Sequence, residues 1–264
     1  MEFGFDIIML LMGVAFVAGA IDAIAGGGGM LTIPAMLAAG IPPVNALATN
    51  KLQSTFGTGG AVFAFARKGL IDVRSFARPI IASLLGSALG AWLLTQIAPD
   101  FLSALIPLLL ITMAGYFLLA PKMTEEDRKG AGGPVTLLLI AATLGCYDGF
   151  FGPGTGSFLT TALVAIMGMG LTRAVAHTKL LNLASNIAAL AVFIASGKII
   201  WIIGFTMAIG SLAGGQLGAH LALRFGASAV RPLLVTICLA LTVKLLADPE
   251  NPLGLMVRGW LGGA

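Results

Sequence analysis

The chain has 264 residues, of which 58% are hydrophobic and 10% are charged, and its net charge is +4. Because a soluble domain carries about 25% charged residues, this composition excludes a soluble globular protein. The long apolar runs predict an all-α polytopic membrane protein whose main partner is the lipid bilayer. We read the small positive charge as lysines and arginines that face the cytoplasm, and we expect no nucleic-acid partner.

Ten apolar segments follow one another, five in each half of the chain. The second segment of each half is short and rises only about 16–20 Å, against a hydrocarbon core of about 30 Å. We therefore expect the first two segments of each half to form a re-entrant hairpin, followed by three transmembrane helices. The segments cover roughly 7–25, 30–40, 46–66, 75–97 and 101–120, and then roughly 135–151, 156–168, 172–195, 199–223 and 228–247.

Two glycine-rich breaks interrupt the apolar hairpins. Residues 26–29 read Gly-Gly-Gly-Gly, and residues 152–156 read Gly-Pro-Gly-Thr-Gly. Glycines end a helix, and non-helical backbone is tolerated at membrane depth only where it is buried in protein or lines a cavity. The free N–H groups at the start of the following helix suit an anion. Both breaks are therefore predicted to be walls of a binding site.

The second half of the chain repeats the first. The offset is 126 residues up to the glycine breaks and 128 residues after them. Internal repeats of this kind are typical of secondary transporters. We predict a first transmembrane repeat at 1–120, a charged cytoplasmic linker at 121–134 and a second repeat at 135–264. The matched residues include Gly19, Asp22, Gly26 and Gly28 with Gly145, Asp148, Gly152 and Gly154, and then Gly40, Lys51, Gly69 and Gly86 with Gly168, Lys179, Gly197 and Gly214.

The distribution of basic residues predicts the orientation. Arg67, Lys68 and Arg74 crowd the loop after the third segment, and the linker carries Arg128 and Lys129, so both stretches are expected to be cytoplasmic. Three crossings per half then make the two repeats inverted and place both termini outside the cytoplasm. One residue does not fit this orientation, Lys198 in the second half.

Lys51 and Lys179 are ionisable residues inside apolar segments, and such residues are functional candidates by default. We expect the glycine turns and these lysines to converge on a central cavity, with two cations and two helix N-termini that favour an anion. The alternative is that each lysine reaches the membrane interface or pairs with an acid. Asp22 and Asp148 are the obvious partners. They either stabilise neighbouring helix ends or couple transport to protons.

Polar residues beside the lysines extend this pattern. Asn182 and Asn186 are four residues apart and share one helix face with Lys179. Such a stripe either lines a pathway or joins helices by hydrogen bonds. His177 is either a proton carrier or a hydrogen-bonded bystander. The predicted substrate-binding residues are Gly27, Gly28, Gly29, Asn50, Lys51, Gln53, Gly154, Thr155, Gly156, Ser157, Thr178, Lys179, Asn182 and Asn186, and the predicted coupling or structural acid–base residues are Asp22, Asp148 and His177.

These motifs together resemble the sulfite exporter TauE/SafE family. The resemblance rests on the stretch AGGGGMLTIP at 25–34, on Asn50-Lys51-Leu52 and on GFFGPGTG at 149–156. It implies export of small sulfur-containing anions such as sulfite, sulfoacetate and related organosulfonates. The second break departs from a plain glycine run by carrying a proline and a threonine.

We therefore predict a secondary transporter, not an enzyme, that exports such an anion across a bacterial inner membrane by alternating access. A passive anion channel and a membrane subunit of a larger complex are the alternatives. No cofactor or metal is expected, because no cluster of histidine, cysteine and carboxylate has metal-ligand spacing. Proton coupling and a homodimer are left open.

Overall fold

A computed structural model describes residues 3–119 and 125–225, which form nine α-helices and contain no strand. The all-helical architecture that composition predicts is thus present in the described part of the chain. The tenth predicted segment, 228–247, and residues 120–124 of the predicted linker lie outside it. The helices are α1 (Phe5–Ala25), α2 (Gly29–Ala38), α3 (Pro43–Arg67), α4 (Ala77–Thr95), α5 (Pro99–Leu119), α6 (Pro134–Phe150), α7 (Thr155–Ala165), α8 (Leu171–Ala195) and α9 (Trp201–Phe225).

Within the described residues, four helices are long and apolar enough to cross a membrane, namely α1, α4, α8 and α9. The short second helix of each half is present, because α2 has 10 residues and α7 has 11. Helices of that length rise only about 15–17 Å. α1, with 21 residues, is long enough to cross the membrane by itself. The two helices of the first hairpin therefore differ in length more than those of a symmetric re-entrant loop.

Both hairpins break at their glycines. α1 ends at Ala25, and Gly26 has the left-handed φ of 77° while its N–H donates to the Asp22 carbonyl at 2.8 Å. In the second hairpin Gly152 and Gly154 have φ values of 98° and 82°. Glycine reaches this region of backbone conformation at little cost, whereas other residues are strained there. The glycines thus end the first helix of each hairpin and let the chain turn back.

Local contacts recur in the two halves at the offsets seen in the sequence. The Thr32 hydroxyl donates to Asn50 Oδ1, 18 residues away, and the Thr160 hydroxyl donates to Thr178, also 18 residues away. Glycines with positive φ recur in the same way, at 26 and 152, at 40 and 168, and at 69 and 197. The duplicated sequence therefore folds into duplicated local structure.

The two halves interleave through close helix contacts. α4 packs on α6, the first helix of the other half, and α9 packs on α1 in the same way. Glycines make these contacts close, since a Cβ at any of four positions would overlap a carbonyl of the neighbouring helix. The overlaps are Gly86 with Ala142, Gly90 with Cys146, Gly214 with Phe16 and Gly218 with Ala20.

Apolar side chains cover the outside of this bundle, whereas polar ones lie within it. Leu10, Leu85, Leu139 and Ile209 are exposed on α1, α4, α6 and α9, as suits helices that face lipid. Among the largest fully buried side chains are the two lysines at 51 and 179. The candidate site therefore lies in the polar interior of the bundle.

The charged loops gather at one end of the bundle. The linker binds the start of α8, where Asp127 accepts from the Gly170 N–H at 2.6 Å. The loop between α3 and α4 reaches the same helix, because the Asp72 N–H donates to His177. The Lys198 carbonyl instead accepts from Asn45, near the other end of α3. The predicted cytoplasmic stretches thus lie together, and Lys198 lies at the opposite end.

Candidate functional site

The two glycine turns meet inside the fold. A Cβ added to Gly26 would lie 2.5 Å from the Gly156 Cα, and one added to Gly156 would lie 2.5 Å from the Gly26 Cα. Only hydrogen side chains allow the two backbones to approach this closely. The contact brings the end of α1 against the start of α7, which belongs to the other half.

A polar cavity lies beside this contact. Its unfilled volume is about 300 Å³, including the part that opens to solvent. The enclosed part of the cavity has room for one or two water molecules. The cavity is lined by Asp22, Gly26, Gly29, Asn50, Lys51, Ser54, Thr58, Asp148, Gly152, Gly154, Gly156, Asn182 and Asn186.

Lys51 forms a buried ion pair with Asp148. The Nζ lies 2.9 Å from Asp148 Oδ2, and both side chains are only 2% exposed. The Lys51 Nζ also donates to Asn186 Oδ1 at 3.0 Å, while the Ser185 hydroxyl donates to the same Asp148 oxygen at 2.6 Å. A buried charge is tolerated when it is paired and hydrogen-bonded, and this pair meets both conditions.

Lys179 forms the equivalent pair with Asp22. The Nζ lies 2.8 Å from Asp22 Oδ2 and also donates to the Asp22 backbone carbonyl. The other carboxylate oxygen accepts from the Gly28 N–H at 3.3 Å, at the start of α2. Asp22 is 23% exposed, whereas Lys179 is 1% exposed. The two pairs are related by the repeat but differ in how far they open to solvent.

Both ion pairs join one half of the chain to the other, a choice that the sequence interpretation left open. Lys51 lines the cavity together with glycines of both turns, as expected. It is close to the turn of the second half, where a Cβ on Gly152 would stand 3.0 Å from its Nζ. The site also has no surplus of positive charge, because each ammonium is matched by a carboxylate. A buried ammonium without such a partner would be costly.

Amide and hydroxyl groups surround the ion pairs. Asn50 Oδ1 accepts from Thr32 at 2.6 Å and from Gln53 Nε2 at 2.8 Å. The Asn186 amide bridges the two central helices, since its Nδ2 donates to Thr58 on α3 at 3.4 Å. Asn182 and Asn186 of the predicted polar stripe on α8 therefore line the cavity, and Asn186 also joins α8 to α3.

Comparison with known proteins agrees with this picture. The family model described as sulfite exporter TauE/SafE matches residues 11–245. The chain belongs to the sulfite exporter TauE/SafE family. It is 45% identical over 262 residues, 99% of both chains, to the "Probable membrane transporter protein ORF9" of a Sinorhizobium species.

Two further relatives carry similar names. The chain is 44% identical over 258 residues to the "Probable membrane transporter protein YfcA" of Escherichia coli, covering 96% of this chain and 95% of that one. It is 43% identical over 249 residues to a "Probable membrane transporter protein" of Haemophilus influenzae, covering 94% and 98%. No solved structure matches the chain. This TauE/SafE family member is therefore a multi-pass membrane transporter.

His177 of the TauE/SafE protein has both ring nitrogens engaged. Its Nε2 accepts from the Asp72 N–H at 3.1 Å, so Nδ1 carries the proton and donates to the Arg173 carbonyl at 2.8 Å. In the other half the Thr49 hydroxyl accepts from the Ile200 N–H at 3.0 Å in the same way. These contacts of His177 hold the loop between α3 and α4 against α8.

The seventeen predicted site residues fall into three groups by position. Nine of the seventeen line the cavity between the turns. Gly28 and Gln53 line a second, smaller cavity next to it. Six line neither, and they are Gly27, Thr155, Ser157, Thr178, Lys179 and His177.

The list of predicted substrate-binding residues does not include several residues of the site. Thr58 and Ser54 line the cavity, and Ser185 binds the Asp148 carboxylate. A signal was available for the first two. They follow Lys51 by seven and three residues, the spacing that places side chains on one helix face.

Proposed function

We propose that this transporter exports a small sulfur-containing anion, such as sulfite, sulfoacetate or another organosulfonate, across a bacterial inner membrane. The observation that carries the proposal is a buried ammonium, Lys51, in the wall of a polar cavity between two glycine turns. Cations buried in a membrane protein mark substrate paths. The family name supports sulfite as the first anion to test.

The cavity offers donors that suit an oxyanion. An ammonium has three N–H donors, and Lys51 uses two of them on Asp148 and Asn186. Within residues 3–119 and 125–225 the third has no partner, so it can reach an anion without breaking the ion pair. The side-chain amides of Asn50 and Asn182 add further donors in the same wall. Several oxygens on one sulfur atom can accept from several such groups at once.

We further propose that the two halves are inverted repeats that rock about this cavity. Each lysine holds a carboxylate of the other half, so relative motion of the halves changes both ion pairs together. Asp22 is 23% exposed and Asp148 is 2% exposed. The unequal exposure of two related groups is what a transporter caught nearer one end of its cycle would have.

The balance of charge limits how the anion is bound. Two lysines and two aspartates leave the site neutral, so an anion alone would bring uncompensated negative charge into a low-dielectric interior. That costs several kcal/mol. A counter-charge must therefore accompany the anion, either a proton on Asp22 or Asp148 or a bound cation.

Sulfite flux in proteoliposomes tests the proposal. Purified wild type is expected to give saturable flux, and Lys51→Ala and Lys179→Ala are expected to abolish it. Lys198→Ala, which changes an exposed lysine, is the matched control and should keep full flux. Full flux in both site variants would contradict the proposal. Flux that follows only the anion's electrochemical gradient would support the channel alternative.

A binding screen on purified protein identifies the anion. Sulfite, sulfate, sulfoacetate, taurine and acetate are compared by melting temperature, because a ligand that binds the folded state raises it by mass action. A rise with sulfite or sulfoacetate and none with acetate is expected. Equal melting temperatures with all five would contradict a sulfur-oxyanion site.

A further inference from the structure

A second cavity adjoins the one between the glycine turns. Its unfilled volume is about 190 Å³, including the part that opens to solvent, and the enclosed part is small. It can therefore hold one water or one ion of similar size. Asp22, Ser54 and Thr58 line both cavities. Whatever binds in the second cavity is thus a direct neighbour of whatever binds in the first.

Gln53 contributes an unsatisfied oxygen here. The side chain is 2% exposed and lines the second cavity. Its Nε2 donates to Asn50 Oδ1 at 2.8 Å and to the Ser54 hydroxyl at 3.0 Å. Its Oε1 is buried and has no hydrogen-bond partner among the described residues. A buried acceptor of this kind costs free energy unless a donor or a cation meets it.

The other groups around the cavity are also oxygen ligands. One is the carboxylate of Asp22, and three are hydroxyls. The oxygen-bearing side chains that line it are Asp22, Gln53, Ser54, Thr58 and Ser211.

This ligand set selects among cations. Among the described residues, no three histidine, cysteine or acidic side chains cluster, which argues against a transition metal. Calcium and magnesium favour several carboxylates, whereas this cavity has one, and Asp22 is already paired with Lys179. A monovalent ion that accepts neutral oxygen ligands fits best.

We propose that a sodium ion binds in this second cavity, between Gln53 Oε1 and Asp22, and serves as the counter-charge for the anion next to it. The role as counter-charge rests on the proposed function, but the binding site itself does not. With the ion in place, the four paired charges, the sodium ion and a monovalent anion sum to zero. Each ion then lowers the cost of burying the other, and the two bind cooperatively.

Melting temperatures of the purified full-length protein test the site without any anion substrate. NaCl, KCl and choline chloride are compared at constant ionic strength. We expect a saturable rise with Na⁺ that K⁺ and choline do not give. Gln53→Leu should remove the rise, and Gln96→Leu, the same change at an exposed glutamine of the α4 end, should keep it. A rise of equal size in all three salts, or a full rise in Gln53→Leu, would overturn the proposal.

Two further variants keep the test decisive if Gln53→Leu does not fold. Ser211→Ala removes one neutral ligand and should raise the half-saturating Na⁺ concentration about tenfold. Gln53→Glu adds a carboxylate ligand and should lower it. Unchanged half-saturation in both would contradict the site.

Flux measurements separate this proposal from the proposed function. Sulfite flux that accelerates with an inward or outward Na⁺ gradient supports both. A Na⁺-specific rise in melting temperature without sulfite flux supports the cation site and contradicts the anion. Sulfite flux that responds to a pH gradient and not to Na⁺ supports the anion and overturns the cation as its counter-charge.

Discussion

The ion pair between Lys51 and Asp148 allows a quantitative test of the fold. Both side chains are 2% exposed and their charged atoms are 2.9 Å apart. In the Lys51→Met variant the carboxylate would remain buried with only the Ser185 hydroxyl as a described partner. Removing one member of a buried pair costs roughly 3–5 kcal/mol, because the remaining charge is uncompensated. We expect Lys51→Met to lose about that much free energy of unfolding.

A compensating change should restore stability without restoring transport. In Lys51→Met/Asp148→Asn both charges are gone, and the asparagine can still accept from Ser185. Replacing a whole buried pair is often close to neutral, so the double variant should return to within about 2 kcal/mol of wild type. Sulfite flux should stay absent in both, since the ammonium is missing from the cavity wall.

Denaturant titration in detergent micelles measures the free energies, and proteoliposome flux measures the function. Lys198→Met, at an exposed lysine, should change stability by no more than about 0.5 kcal/mol. The reasoning is refuted if Lys51→Met is as stable as wild type. It is also refuted if the double variant is no more stable than the single one, because the cost would then not come from an unpaired carboxylate.

Two other predictions address the turn and the linker. Gly26→Ala should abolish folding or flux, because the new Cβ would overlap the backbone of the other turn. Gly40 has nearly the same φ (80° against 77°) but open space around it, so Gly40→Ala should lower the free energy of unfolding by only about 1 kcal/mol. Equal melting temperatures for the two variants would contradict the close contact. The Gly170 N–H and Arg173 lower the pKa of Asp127 below its ordinary 3.8, so the linker contact is stabilising above about pH 3.8 and is lost as the pH falls further. Amide hydrogen exchange tests this contact. In the Asp127→Asn variant at pH 7, the backbone amides of residues 125–132 should show no protection from exchange, and full protection would contradict the contact.

The features that follow from local chemistry could be predicted from the sequence. Four successive glycines are expected to end a helix. The recurrence of Lys51 as Lys179 in the second half indicates that the two lysines have equivalent roles. The burial of the two lysines was expected on the same grounds, and pairing with Asp22 and Asp148 was the alternative considered for them. The short second helix of each half follows from the length of its apolar run.

The pairing between halves could not be predicted, because the two halves carry the same residues. Lys51 could reach the aspartate of either half, and nothing in the spacing distinguishes them. The choice is made by tertiary packing, in which α3 lies against α8 and each hairpin lies against the other half. The loop contact of His177 could not be predicted either. The matching residue in the first half is Thr49, a different residue type, although both side chains accept a hydrogen bond from a backbone N–H.

The difference between the two ion pairs has a consequence for the transport cycle. Charges that reach solvent interact more weakly than buried ones, so the Lys179–Asp22 pair, with Asp22 23% exposed, separates at lower cost than the Lys51–Asp148 pair. Rocking of the halves would therefore begin at Asp22, which also lines both cavities. An anion bound to the lysines and a cation bound to Asp22 would together replace the Lys179–Asp22 ion pair that this motion breaks. If the halves are inverted repeats that rock as proposed, the opposite state would have the reverse arrangement, with Asp148 the more exposed carboxylate and the Asp22 pair closed.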